Sequence, residues 1–159
     1  MNWGTEWILR GVNRMFRGNS PAKVDEKGRL KIPSAFHADL KATGEEFYVT
    51  SDNGKRAWIY PLKVWMEIEK KLAQGSSQNQ AKQRFKMVTS YYGSVAVLDK
   101  QGRILLHPLL REAAQTKGQV DVLGMQSYLE VWNHERFLDH MKEIAVSQDD
   151  FKALDDLGI

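Results

Sequence analysis

The chain contains one sequence unit twice, and this duplication restricts the possible folds more than any other feature. DEKGR at 25–29 recurs as DKQGR at 99–103, so Asp25 and Arg29 both have counterparts 74 positions later. Other landmarks repeat in the same order: RLKIP (29–33) with RILLHP (103–108), FYVT (47–50) with VDVL (120–123), and WIYPLKVW (58–65) with LEVWNHERF (129–137). Because the order is kept, we expect the two halves to adopt the same fold.

Each half predicts short strands joined by tight turns. The glycine of the Asp-x-x-Gly-Arg segment, Gly28 or Gly102, supplies the positive φ that a tight turn needs. The strand after the arginine ends at a proline, which can open a short helical turn. Asn53 and Gly54 lie between two apolar segments of the first half and predict a hairpin.

Helices complete the pattern and set the fold class. Apolar spacing predicts one helix from about Pro61 to Gly75, one from about His134, and one over 82–92 between the halves. The fold class is therefore α+β and β-rich. Two halves of about 45 residues are too small to bury much core alone, so we expect interleaved halves and a chain that oligomerises.

Composition narrows the compartment and the partners. The 159 residues include no cysteine, which excludes disulfides and thiolate metal sites and fits a reducing compartment. No apolar run approaches the roughly 18 residues that a membrane helix needs. The net charge of +3 is uneven, because residues 135–159 hold seven acids and three bases. A basic body suits a protein that contacts a polyanion, although a solvated surface explains the same asymmetry.

Sequence signals for catalysis are absent. His134-Glu135 begins like a zinc-protease helix, but position 138 is leucine where the second histidine is needed. His134 and His140 lie six apart, which is not the spacing of a helical metal site. No nucleophile elbow, phosphate loop or dinucleotide glycine pattern occurs. We therefore expect no enzyme activity, no cofactor and no metal.

The first repeat carries the densest basic segment. From 15 to 34, five bases stand against two acids. Bases at 27, 29 and 31 alternate along a segment that we expect to be extended, which would put their side chains on one face. A two-stranded ribbon of this kind can enter the major groove of DNA. We expect Arg29 to read a guanine edge, and Lys27, Lys31 and Arg17 to neutralise phosphates.

A structural interpretation of the same motif stays open. Asp25 with Arg29, and Asp99 with Arg103, can pair across the turn and hold the fold. For the aspartates this role is favoured, because a carboxylate that faces phosphate is repulsive. Arg103 is a weaker candidate for DNA contact than Arg29, since its neighbours at 104–106 are apolar. The second half is therefore interpreted as more of an interface than a reader.

Two further groups are interpreted as structural. Lys55 and Arg56, beside the Asn-Gly turn, are expected to be solvated. Aromatic residues could stack on bases, as in single-strand binders. Core packing is favoured for those that recur at strand and helix positions, namely Trp58, Tyr60, Trp65 and Trp132.

The repeated motifs resemble a known family. MFRGNSPAKVDEKGRLKIPSAF at 15–36 and DKQGRILLHPLLREA at 99–113 look like MraZ, the bacterial regulators with two AbrB-like (swapped-hairpin) modules. The resemblance extends to about His140 and is most specific in the paired Asp-x-x-x-Arg motifs. It favours Met15 as the natural start, and we expect residues 1–14 to be an upstream extension or a flexible arm.

The resemblance also implies an architecture and a function. The fold would be tandem swapped-hairpin β-barrel modules in a pseudo-twofold arrangement with peripheral helices. The expected limits are 19–66 for the first module, 67–92 for a helical linker, 93–138 for the second module and 139–159 for a helical, acidic tail. The function would be sequence-specific repression of transcription from short direct repeats upstream of the division and cell-wall gene cluster. The protein would be cytoplasmic, associated with the nucleoid, and a homo-oligomeric ring of roughly eight to twelve subunits on double-stranded DNA.

The sequence departs from the family pattern at two positions, and two other functions also fit it. Phe36-His37 stands where the family usually has an aromatic residue and an arginine, which puts an accessory phosphate contact in doubt. His107 stands where isoleucine is commoner. An antitoxin-like or assembly module that binds a protein partner would suit the acidic tail, and a basic β-ribbon does not exclude RNA binding.

Overall fold

The computed structural model describes residues 15–159, and its centre is one antiparallel sheet of eight strands. The strands are β1 Phe16–Val24, β2 Arg29–Lys31, β3 Glu46–Thr50, β4 Ala57–Pro61, β5 Ser94–Val97, β6 Arg103–Leu105, β7 Gly118–Gln126 and β8 Leu129–Asn133. Their order in the sheet is β5-β3-β4-β8-β7-β1-β2-β6. The terminal strands β5 and β6 are joined by a hydrogen-bonded turn, so the sheet nearly closes into a barrel.

The two repeats interleave within this sheet. β1 to β4 come from the first repeat and β5 to β8 from the second, and each strand pairs with at least one strand of the other repeat. The longest ladder joins β1 to β7, from Phe16 opposite Gln126 to Val24 opposite Gly118. Its counterpart joins β3 to β5. This pairing confirms the interleaved halves expected from the repeat and the β-rich, pseudo-twofold architecture that the family resemblance implied.

The core lies between the strands of both repeats. Leu30 in β2 and Ile104 in β6 are fully buried and face each other, so they mark the pseudo-twofold axis. Alternate residues of β3 and β7, such as Val49 and Val122, are also fully buried. Burial of this apolar surface is the main contribution that holds the two repeats together, because neither repeat encloses a core of its own.

Helices cover the outside of the sheet. A 3₁₀ turn, Ser34–Phe36, leads into the first helix; the helices are α1 His37–Thr43, α2 Leu62–Leu72, α3 Gln80–Tyr91, α4 Pro108–Ala114, α5 His134–Glu143 and α6 Gln148–Asp155. The expected helices after Pro61, over 82–92 and after Asn133 are confirmed. α3 begins two residues early because the Asn79 side chain accepts bonds from the next free N–H groups.

The aromatic residues belong to the core. Trp58, Tyr60 and Trp65 form a buried cluster with Val64, in which the rings of Tyr60 and Trp65 lie 5.2 Å apart. Trp132 is also buried and packs against Phe137 of α5. The structure therefore confirms the expectation of core packing rather than base stacking for these side chains.

The extension expected at 1–14 lies outside the described residues, and the module limits at 19–66 and 93–138 stay a prediction. α6 begins with a capping box between Ser147 and Asp150 and has no buried residue. In the described part of the chain, no helix combines the length and apolarity that crossing a bilayer requires.

Candidate nucleic-acid interface

The turn between β1 and β2 is built around one carboxylate. Asp25 Oδ1 accepts hydrogen bonds from the backbone N–H groups of Lys27 (3.0 Å) and Arg29 (2.9 Å). Oδ2 accepts from Arg29 Nε at 2.7 Å. Gly28, at φ +84°, donates its N–H to the Asp25 carbonyl. The aspartate therefore fixes both the turn and the direction of the arginine.

The turn between β5 and β6 repeats this geometry atom by atom. Asp99 Oδ1 accepts from the N–H groups of Gln101 (2.8 Å) and Arg103 (2.9 Å), and Oδ2 accepts from Arg103 Nε at 2.9 Å. In each turn the arginine N–H is the largest cause that lowers the pKa of the aspartate. Asp25 and Asp99 are thus held as carboxylates, each paired with the arginine of its own turn.

The two turns lie side by side because each accepts a hydrogen bond from the other repeat. The Gly28 carbonyl accepts from Leu106 N–H at 2.8 Å, and the Gly102 carbonyl accepts from Ile32 N–H at 2.9 Å. These bonds extend the short β2–β6 ladder at both ends. Leu30 and Ile104 of this ladder face the core, so the residues on either side of them point outwards.

Three cations therefore share the outer face of the β2–β6 ladder. Arg29 and Lys31 come from β2, and Arg103 comes from β6. Lys31 lies directly opposite Arg103, and Arg29 lies opposite Leu105. Like charges that face each other across a strand pair are destabilising. A surface that keeps such a pair exposed is suited to a polyanion that neutralises both charges.

Arg29 can bind a ligand even though its side chain is paired with Asp25. Its bond to Asp25 uses Nε, and its side chain is 33% exposed. A guanidinium has five N–H donors, so a fixed Nε holds the group in place while the other four stay available. Pairing with the aspartate and contact with DNA are therefore compatible at this position.

Two of the expected DNA-binding residues lie elsewhere than the sequence indicated. The stripe of bases at 27, 29 and 31 on one extended segment is wrong for Lys27, which lies in the turn because Asp25 binds its N–H. Arg17 lies near the far end of β1, opposite Met125. Val24, at the other end of the strand, is seven residue steps from Arg17, roughly 23 Å at the usual rise. The structure thus brings together Arg29, Lys31 and Arg103, with Lys27 beside them.

The expectation that Arg56 is merely solvated is wrong. Its guanidinium lies over the rings of Trp58 (5.5 Å) and Trp132 (5.8 Å), and Nε is 3.1 Å from Glu130 Oε1, an ion pair without the angle of a hydrogen bond. Asp52 Oδ2 lies 3.3 Å from Nη2. The available signal was the alternation Arg56-x-Trp58 and Glu130-x-Trp132, which becomes informative only with the β4–β8 register that puts Trp58 opposite Glu130.

A further residue near the first turn was not anticipated. Arg111 of α4 places its guanidinium in the space that a Cβ on Gly28 would occupy. Its side chain therefore covers the first turn from the second repeat. No cluster of residues suited to a metal ion occurs among the residues that the structure describes.

Comparisons with known proteins agree with this architecture. The family model described as "MraZ protein, putative antitoxin-like" matches the chain twice, at residues 15–88 and 94–157. Three proteins named "Transcriptional regulator MraZ" are similar. That of Acidobacterium capsulatum is 49% identical over 91% of this chain and all of its own length. That of Koribacter versatilis is 45% identical over the same shares, and that of Thiobacillus denitrificans is 36% identical over 77% of this chain and 84% of its own.

The two matches of the family model fall on the two repeats, and the similar proteins span nearly the whole described chain. Together with the interleaved sheet and the paired Asp-Gly-Arg turns, they leave one assignment. The chain belongs to the MraZ family of transcriptional regulators.

Proposed function

We propose that the protein is a sequence-specific DNA-binding repressor of transcription. It would bind short direct repeats upstream of the division and cell-wall gene cluster. The protein would lie in the cytoplasm, associated with the nucleoid. The observation that carries the DNA contact is the outer face of β2 and β6, where Lys31 stands opposite Arg103 beside Arg29. Family membership supports the regulatory role. The operator and the repressor activity rest on the family resemblance.

In this proposal Arg29 reads the base. Its guanidinium would donate two parallel bonds to O6 and N7 of guanine in the major groove, a contact that contributes about 1–3 kcal/mol of discrimination. Asp25 orients it, so that little side-chain entropy is lost on binding. Arg103 has the same support from Asp99 and is the equivalent reader on the second turn.

The lysines supply affinity rather than sequence choice. Lys31 and Lys27 are exposed beside the readers and would neutralise phosphates on either side of the groove. Arg17, roughly 23 Å along β1 from the turn, would contact a phosphate farther along the duplex. Each such contact makes binding more sensitive to salt.

We further propose that the chain assembles into a homo-oligomeric ring of roughly eight to twelve subunits. α5 and α6 expose apolar residues that a monomer would leave in water, including Leu138 (49% exposed), Met141 (48%) and Phe151 (51%). Direct repeats in DNA match a head-to-tail ring, because neighbouring subunits then present their readers in the same orientation.

A second candidate function is an antitoxin-like or assembly module that binds a protein partner without catalysis. The acidic helix α6 favours it, since Phe151 is exposed on a helix with no buried residue and with Asp149 and Asp150 in its first turn. A protein partner of this helix is compatible with DNA binding through the turns.

A gel shift with DNA from the protein's own upstream region tests the proposal. We expect tight binding that survives excess nonspecific competitor and weakens steeply as salt rises. Footprinting of the same complex should protect repeated short sites. Binding no tighter than that to random duplex would contradict the proposal and favour the assembly module.

A further inference from the structure

The chain path brings Arg111 from the second repeat to the turn of the first. Strand β6 ends where Leu106 N–H bonds to the Gly28 carbonyl. His107 then caps α4, since its Nδ1 accepts from Leu109 N–H at 3.2 Å. One helical turn later the side chain of Arg111 lies against Gly28. Gly28 is buried even though both of its neighbours are at least partly exposed, because this side chain covers it.

Arg111 also differs from the two turn arginines in its charge balance. Arg29 and Arg103 each have an aspartate within 3 Å of Nε. Within residues 15–159, no carboxylate lies within 4.0 Å of the Arg111 guanidinium, and the adjacent Glu112 is paired with Lys117. The pKa of Glu112 is lowered chiefly by its hydrogen bond to Lys117 and least by the charge of Arg111, so Glu112 engages Arg111 only weakly. The Arg111 guanidinium, partly exposed beside a basic turn, is therefore available to an external anion.

The second turn has a weaker counterpart. His37 of α1 approaches Gly102 as Arg111 approaches Gly28, with Nε2 3.4 Å from the point that a Cβ would occupy. The same Nε2 is 2.7 Å from the Ile32 carbonyl, so this nitrogen is already engaged by the backbone. The helix after each short strand thus covers the turn of the other repeat. Only the first turn receives a permanent cation in this way.

We propose that Arg111 is a phosphate-binding residue of the first turn, so that this DNA site is built from both repeats and is the stronger of the two. The inference rests on the proposed DNA-binding function. Arg29 would read the base edge. Arg111, which reaches the same turn from helix α4, would bind the phosphate next to that base. The planar guanidinium suits this role, since it can bind a phosphate with two parallel hydrogen bonds.

Titration of the full chain against its own upstream DNA at several salt concentrations tests this. We expect Arg111→Met, which keeps much of the packing on Gly28, to weaken specific binding about tenfold, as loss of one charge-assisted contact would. The slope of log affinity against log salt should fall by about 0.9. Arg111→Lys should restore the slope and most of the affinity. His37→Arg, which adds the missing cation to the second turn, should strengthen binding and steepen the slope.

Lys63→Met is the matched control, because it removes one exposed charge from α2, which contacts β3 and β4 rather than the turns. It should leave both affinity and slope unchanged. Equal binding by wild type and Arg111→Met would overturn the inference alone. So would a loss that Arg111→Lys does not repair and that coincides with a lower melting temperature, because Arg111 would then be structural. Absence of specific binding by the wild type would overturn the proposed function as well.

Discussion

Lys31 lies directly opposite Arg103 in the β2–β6 ladder, although the two residues come from different copies of the repeat. The pseudo-twofold counterpart of this pair is Leu105 opposite Arg29. One half of the outer face therefore carries two cations, and the other carries one cation beside an exposed leucine. The duplication has kept the fold of the two turns and has changed the charge around them.

The cation pair should cost stability in the free protein. Replacing Lys31 with leucine, the residue at the counterpart position, removes repulsion from Arg103. We expect the free energy of unfolding to rise by about 0.2–1 kcal/mol at low salt while affinity for DNA falls. Urea unfolding at two salt concentrations measures the first effect. The matched variant Leu105→Lys places a lysine opposite Arg29 and should have the opposite effects; a stability loss in Lys31→Leu would contradict this prediction.

Both turn aspartates should make stability depend on pH in the acid range. Their pKa values are lowered in the folded protein, chiefly by the N–H of the following arginine. Their contribution is present above the unfolded value of 3.8 and is lost as pH falls through the lower folded pKa. Asp25→Asn with Asp99→Asn should therefore flatten the pH dependence of unfolding below about pH 4. An unchanged acid transition by circular dichroism would count against the turn geometry.

The two turn glycines should differ in their tolerance of a side chain. Both have positive φ, +84° at Gly28 and +75° at Gly102, so alanine at either is strained by about 1 kcal/mol. A Cβ on Gly28 would also displace Arg111, whereas a Cβ on Gly102 meets His37 at an ordinary 3.4 Å. Gly28→Ala should consequently lose more DNA affinity than Gly102→Ala. Equal losses in a paired binding titration would show that the displacement has no effect.

Arg56 should matter for stability rather than for DNA. Its removal breaks contacts with two tryptophans and leaves the buried Glu130 without its cation. We expect Arg56→Met to lower the free energy of unfolding by about 2 kcal/mol, because a buried carboxylate is costly when unpaired. The neighbouring exposed Lys55→Met is the control and should change it by less than about 0.5 kcal/mol. Urea unfolding of both variants measures this difference, and an equal free energy of unfolding for the two would contradict a stabilising role for Arg56.

Local pattern was sufficient for the elements of this fold. The repeated Asp-x-x-Gly-Arg segment predicted both turns, the prolines predicted the ends of the short strands, and apolar spacing predicted the helices after 61 and 133. These features depend on neighbouring residues, so they are visible in one sequence. Lys27 was misassigned because the extent of the turn depends on which N–H groups Asp25 binds, and sequence alternation does not record this.

Contacts between the two repeats could not be predicted from patterns of neighbouring residues. The apolar sequence neighbours of Arg103 gave no sign that Lys31, 72 positions away, lies opposite it in space. Arg56 and Arg111 likewise acquire their surroundings from the other repeat. The repeat predicted that the halves interleave, whereas the register of β2 with β6 and of β4 with β8 depends on how the whole core packs. The sequence therefore pointed to Arg29 as a candidate site residue but not to the residues of the other repeat that lie beside it.

The central claim is that Arg29 reads sequence while Asp25 holds it. The measurement is the ratio of affinities for upstream DNA and random duplex of equal length, for wild type and for Arg29→Met, with oligomeric mass recorded for both. We expect a wild-type ratio of about 10³ or more that falls at least tenfold in the variant, at unchanged mass. A ratio that stays the same in Arg29→Met would contradict the account.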